Sequence, residues 1–250
     1  MILKSPREMD LLRDSNRIAA EVLKKLEDLI EPGIDTAELD RFAEAEVRKR
    51  GAEPAFKGYR GYPNTLCTSI NEVVVHGIPS SRKLEEGDII SLDIGTIHRG
   101  YYGDKAVTLP VGTISEEAKR LLQVTKAALA LGILKAKPGH RVSDISHAIQ
   151  EYVEENGMFV VKAFVGHGIG KALHEEPQIP NFGPPGVGTV LKPGMVLCIE
   201  PMVNLGTSEI LILEDKWTAI SKDRSLSAHF EHTVAITEKG TEILTTLDCH

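Results

Sequence analysis

From Gly166 to Pro177 the chain reads G-H-G-I-G-K-A-L-H-E-E-P; a proline- and glycine-rich loop follows, and then L-K-P-G-M-V-L-C-I-E-P-M from Leu191 to Met202. Two histidines, His167 and His174, stand among glycines. The carboxylate of Glu200 closes the apolar run Val196-Leu197-Cys198-Ile199. Burying an ionised carboxylate without a partner is expensive. A chain that places one there must supply a cation, and this is the first sign of a metal.

The stretch has an earlier echo. Leu84-Glu85-Glu86-Gly87-Asp88-Ile89-Ile90-Ser91-Leu92-Asp93 aligns with Leu191–Glu200, so that Leu, Gly and a terminal carboxylate coincide. His76-Gly77-Ile78 echoes His167-Gly168-Ile169. Asp104, before Lys-Ala-Val-Thr, resembles Glu231, before a strand-like run that ends at Thr237. Pro32-Gly33 and Pro138-Gly139 each precede a helical pattern. The chain reads as two copies of one unit, residues about 1–112 and 113–250, packed into a single catalytic domain. The expected class is α+β, with antiparallel sheet covered by helices.

Composition bounds the function. At 250 residues, 42% hydrophobic and 26% charged, the chain matches an ordinary globular protein. A net charge of −7 and an isoelectric point near 5.7 argue against a nucleic-acid partner. Cys67, Cys198 and Cys249 are unevenly placed and read as reduced thiols of a cytoplasmic protein. No apolar run is long enough to span a membrane, and the N-terminus has no signal-peptide pattern. The acidic surface and short strand edges suggest a monomer.

Ser5-Pro6-Arg7-Glu8 is a helix start, and apolar residues at Met9, Leu12, Ile18, Val22 and Leu26 predict a helix ending near Pro32-Gly33. A second helix begins near Asp35-Thr36 and stops at Gly51. Leu66–Val75, Ile89–Ile94 and Tyr101–Leu109 read as strands, the last two as a hairpin turning through Gly95–Gly100. Helices from Ser115 to Lys137 and from Val142 to Asn156 follow. Further strands are expected at Phe159–Phe164, Met195–Pro201, Ser208–Leu213 and His229–Thr237.

The candidate metal ligands are Asp93, Asp104, His167, Glu200 and Glu231. Their four carboxylates would be neutralised by two divalent cations, and oxygen-rich donors with one imidazole favour Mn, Fe, Co or Zn. Taken singly, each has an ordinary reading: Asp93 a strand-end cap, Asp104 a turn residue, Glu231 a solvated edge, His167 a loop histidine. Matching carboxylates in both copies, beside glycine-flanked histidines, are harder to explain that way. Cys198 reads as packing; His98, His140, His147, His229, His232 and His250 read as surface or structural.

At these residues the chain resembles the type I methionine aminopeptidases. The matching segments are Asn71–Pro79, Asp93 with Asp104 after Gly-Tyr-Tyr-Gly, Gly166–Gly170, His174–Pro177, Ile199–Met202 and Phe230–Thr233, and the likeness covers nearly the whole chain. The resemblance implies the pita-bread fold with its pseudo-twofold duplication. It implies hydrolytic removal of N-terminal methionine from peptides and nascent chains, with a small second residue. It also implies two metals held by Asp93, Asp104, His167, Glu200 and Glu231, Asp104 and Glu231 bridging. Glu200 is expected to move the proton, His174 to bond the scissile carbonyl and His76 to contact the amide nitrogen. Phe56, Tyr59, Tyr62, Cys67, Leu173 and Trp217 are candidates for the methionine slot, and Asn71, Val73 and Ser227 for a monovalent-cation site. Two rivals are a proline-directed peptidase of the same fold, which usually carries a large extra N-terminal domain, and a non-catalytic relative, which typically loses ligands.

Overall fold

A computed structural model describes residues 3–247; Cys249 and His250 lie outside the described residues. Four helices and a set of antiparallel strands follow the predicted order. The first helix, Pro6–Glu27, opens with a capping box in which Ser5 and Glu8 satisfy each other's backbone donors. It stops short of Pro32-Gly33, with Asp28 as its C-cap. The second, Thr36–Lys49, is capped by Asp35. The third and fourth are Glu116–Lys135 and Val142–Glu155. Each pair covers its own apolar core. One is built on Val22, Leu23, Leu39, Leu92 and Ile94, the other on Leu121, Ile145, Ile149, Leu197 and Val234.

The duplication is visible bond by bond. Gly33 N donates to Leu84 O at 2.8 Å, and Gly139 N to Leu191 O at 3.0 Å. Leu84 N returns to Ile34 O at 2.9 Å, and Leu191 N to His140 O at 2.8 Å. Gly87 and Gly194 both adopt positive φ, 95° and 93°, and donate to Val111 and Ile236 in the equivalent places. The glycines and leucines that align in sequence therefore do the same mechanical work in each copy.

The first half's sheet centres on the hairpin Ile89–His98 and Tyr101–Pro110. The second half's runs Gly240–Ile243, His232–Thr237, Val196–Ile199, Gly166–Gly168, Glu175–Ile179. The halves are joined through backbone and hydroxyls: Glu231 N donates to Ala106 O at 2.9 Å, and Thr233 Oγ1 to Asp104 O at 2.8 Å.

Several predicted boundaries move. The hairpin turns at Arg99-Gly100, so Gly95 and Asp93 lie inside a strand. Gly95 is there for space: a Cβ would stand 2.5 Å from the Phe56 ring. Leu66–Val75 splits at Asn71, whose φ is +55°. Phe159–Phe164 shortens to Phe159–Val160, and Ser208–Leu213 to Ile210–Ile212. Met195–Pro201 and His229–Thr237 each break, after Ile199 and after His229. Glu200 and Glu231 occupy those two breaks. Where the ladder is interrupted, the side chain is free to leave the pleat and turn inward.

Candidate metal centre

Strand register places the acids. Asp93 sits opposite Ala106 and Asp104 opposite Gly95, so the two carboxylates leave adjacent strands on the hairpin's inner face. From the other half, His167 lies opposite Cys198, two residues before Glu200. The approach of these strands is close: a Cβ on Gly166 would be 2.3 Å from the Cys198 carbonyl oxygen, and one on Gly168 2.4 Å from that of Glu176. The glycines around His167 are what allow its strand to sit between its two neighbours.

The five predicted ligands converge. His167 Nε2 lies 3.4 Å from Glu200 Oε1 and 3.9 Å from Asp104 Oδ2. One donor atom each from Asp104, His167, Glu231 and Cys198 falls within a 4.8 Å span. His167 Nδ1 is 3.0 Å from the Gly168 carbonyl, which can only accept, so Nδ1 carries the proton and Nε2 presents its lone pair to the acids. Asp104, His167 and Glu231 are buried, and Asp93 and Glu200 are largely so, each keeping an edge on the cavity.

Their electrostatics favour a cation. Burial raises Asp104 and Glu231 well above the usual carboxylate range; the charges of Glu231, Asp93 and Glu200 raise Asp104 further, and those of Glu200 and Asp93 raise Glu231 further. Burial lifts Asp93 to about 7, with Glu200 adding to the effect, and lifts Glu200 to about 8. Asp93 Oδ1, Asp104 Oδ1 and Glu231 Oε1 are buried with no hydrogen-bond partner. Unpaired buried acceptors on one wall, facing an imidazole lone pair, form the donor set that divalent Mn, Fe, Co or Zn takes. The residues fit divalent metal ions. Burial and the neighbouring carboxylates also push the Cys198 thiol up, so it stays protonated and a poor ligand, bonded to Thr233 at 3.4 Å. Its reading as packing stands beside that contact.

The cavity in front of these acids, about 320 Å³, is lined by all six candidate slot residues and by His76 and His174. Tyr62 donates its hydroxyl within a backbone pocket, 3.0 Å from both Leu66 O and Gly77 O, which turns its polar end out of the cavity. Trp217 meets it edge-on at 5.2 Å. His76 is held by edge contacts with Phe164 at 5.3 Å and Trp217 at 6.2 Å, and burial lowers its imidazole to about 4. His174 stands at the rim, with Nδ1 2.7 Å from the Tyr59 hydroxyl.

His229 was expected at the surface or in a structural role. Instead it is buried in the cavity wall, its Nε2 3.6 Å from Glu200 Oε2 and without a hydrogen-bond partner. The available signal was its place two residues before Glu231 on an alternating strand, hidden by the break at Phe230. His232 faces Thr245 at 2.8 Å and is structural.

The fold and this cluster are those of a metallopeptidase. The chain belongs to metallopeptidase family M24, whose profile matches residues 10–238. Within it, the chain is similar to methionine aminopeptidase 1 of Bacillus subtilis: 54% identity, over 98% of this chain and 99% of that one. A solved methionine aminopeptidase from Thermotoga maritima superposes with a TM-score of 0.97 at 46% identity, covering 98% and 99%. A prolidase from Pyrococcus furiosus shares the fold at a TM-score of 0.80 and 25% identity, but this chain covers only 66% of it.

Proposed function

We propose that this chain is a metal-dependent methionyl aminopeptidase that removes the first methionine from peptides and nascent proteins carrying a small second residue. The observation that carries the reading is the convergence, from two halves of the chain, of five ligand-type residues with orphaned buried oxygens. Near-complete coverage of relatives so named favours it over a proline-directed peptidase. Asp93, Asp104, His167, Glu200 and Glu231 would hold two divalent ions. Bound there, the ions would supply Lewis acidity and a water acidified toward neutrality.

The protein's own groups divide the remaining work. Glu200 accepts a proton from the attacking water at a carboxylate oxygen and passes it to the leaving amine, a role that contributes about 10²–10⁴-fold. Tyr59 O–H donates to His174 Nδ1, which leaves N–H on Nε2 and points a donor at the scissile carbonyl. His76, fixed by its aromatic neighbours, faces the amide nitrogen. Phe56, Tyr62, Cys67, Leu173 and Trp217 form an apolar slot, with Tyr59 at its edge, where an unbranched thioether meets ring edges. A monovalent cation near Asn71, Val73 and Ser227 would suit the buried, unpartnered Ser227 Oγ. The protein acts as a cytoplasmic monomer.

The test is hydrolysis of Met-Ala-Ser by metal-stripped protein refilled with Mn, Fe, Co or Zn in turn. Restored cleavage that Glu200→Gln abolishes, with its melting temperature kept, supports the reading. Cleavage of Xaa-Pro peptides instead would overturn it.

A further inference from the structure

Arg60 is the one Lys or Arg among the described residues that line the cavity. Its side chain is exposed and makes no ion pair among the described residues; its contact is the face of Tyr59, 5.4 Å from the ring centroid. The backbone there is unusual. Arg60 has φ 49° and ψ 22°, a left-handed conformation that glycine or asparagine takes with less strain. It sits in a short turn tied at both ends: Tyr59 N donates to Phe56 O at 2.9 Å, Gly58 N to Tyr62 O at 2.7 Å, and Tyr62 N to Tyr59 O at 2.9 Å. A bulky cation is therefore held in a strained, fixed turn at the mouth of a cavity, with no carboxylate paired to it among the described residues. Strain of this kind gathers at functional sites.

The position sets what the charge meets. Tyr59 carries Arg60 on its ring and His174 beside it, the two ring centroids 5.3 Å apart. His174 marks the scissile bond in the function proposed above, on which this inference rests. The first side chain fills the slot and the second residue passes the rim. The third Cα lies about 3.8 Å further along an extended chain, so the peptide leaves the cavity through the mouth that the exposed Arg60 lines. With the four carboxylates matched by two divalent ions, the guanidinium is the uncompensated charge of the entrance.

We propose that Arg60 is a specificity determinant that selects an acidic side chain at the third residue of the peptide. The probes are the C-terminally amidated peptides Met-Ala-Glu-Gly, Met-Ala-Gln-Gly and Met-Ala-Lys-Gly, cleaved by the metal-loaded full chain. For an exposed charge pair, the Glu peptide should exceed the Gln peptide in kcat/KM by about two- to fivefold, through KM, and the Lys peptide should fall below both. The Glu-to-Gln ratio should fall to about one in Arg60→Ala and invert in Arg60→Glu, and half-molar NaCl should erase it in the wild type. A wild-type ratio of one, or a ratio that survives both substitutions, overturns the assignment while cleavage of the Gln peptide leaves the aminopeptidase reading standing. Failure to cleave any of the three overturns that reading, and this one with it.

Discussion

Removing one of the site's acids should stabilise the ion-free protein, and Asp93→Asn is the substitution to make. Burial, with the charge of Glu200 behind it, lifts the Asp93 carboxyl from an ordinary 3.8 to about 7. For an acid raised in this way, the stabilising contribution is present below the unfolded value and is lost as pH rises through the folded one. The ion-free wild type should thus weaken between about pH 4 and pH 7. That gap spans about three pH decades at about 1.4 kcal/mol each, so ionising Asp93 in the empty fold costs about 4 kcal/mol. An amide of the same shape avoids the charge but leaves a polar group unpaired, at about 1–3 kcal/mol. The net gain at pH 8 is about 1–3 kcal/mol, or several degrees in Tm for a chain of this size. Thermal melts in EDTA at pH 5 and pH 8 measure it. The variant should melt above the wild type only at pH 8. Manganese should reverse the order, because an ion at a hundred times its Kd adds about 2.7 kcal/mol to the protein that binds it. A variant that melts below the wild type at both pH values in EDTA would refute the reasoning.

Two further outcomes follow from the same geometry. Tyr59→Phe frees His174 Nδ1 and with it the tautomer, so kcat should fall by about 3–10-fold, the kinetic equivalent of one neutral hydrogen bond, while calorimetry finds Mn affinity unchanged. Gly166→Ala drives a methyl against the Cys198 carbonyl oxygen; it should cost about 1–3 kcal/mol in urea unfolding and weaken Mn binding, since the strands it separates carry His167 and lead to Glu200.

Much of this was legible in the residues themselves. Caps, turn glycines and the aligned leucine–glycine pairs fixed the four helices and the duplicated plan, because each answers to local backbone chemistry. The four acids and the imidazole of the cluster were findable because a charge at the end of an apolar run is anomalous wherever it occurs. The breaks at Glu200 and Glu231 were not, since an interrupted ladder keeps the composition of a continuous one. Nor was Gly95, whose purpose is room for a ring distant in sequence. His229 escaped for the same reason: its neighbour Glu200 lies in a strand break distant in sequence, and only three-dimensional packing brings the two within 3.6 Å.

The five proposed donors come from opposite ends of the duplication: Asp93 and Asp104 from the first copy, His167, Glu200 and Glu231 from the second. Loading the site would therefore act as a reversible staple between repeats. A chain nicked at the exposed Gly112-Thr113 turn would yield two fragments, each holding an incomplete set of ligands, whose reassembly is driven by the ions they share.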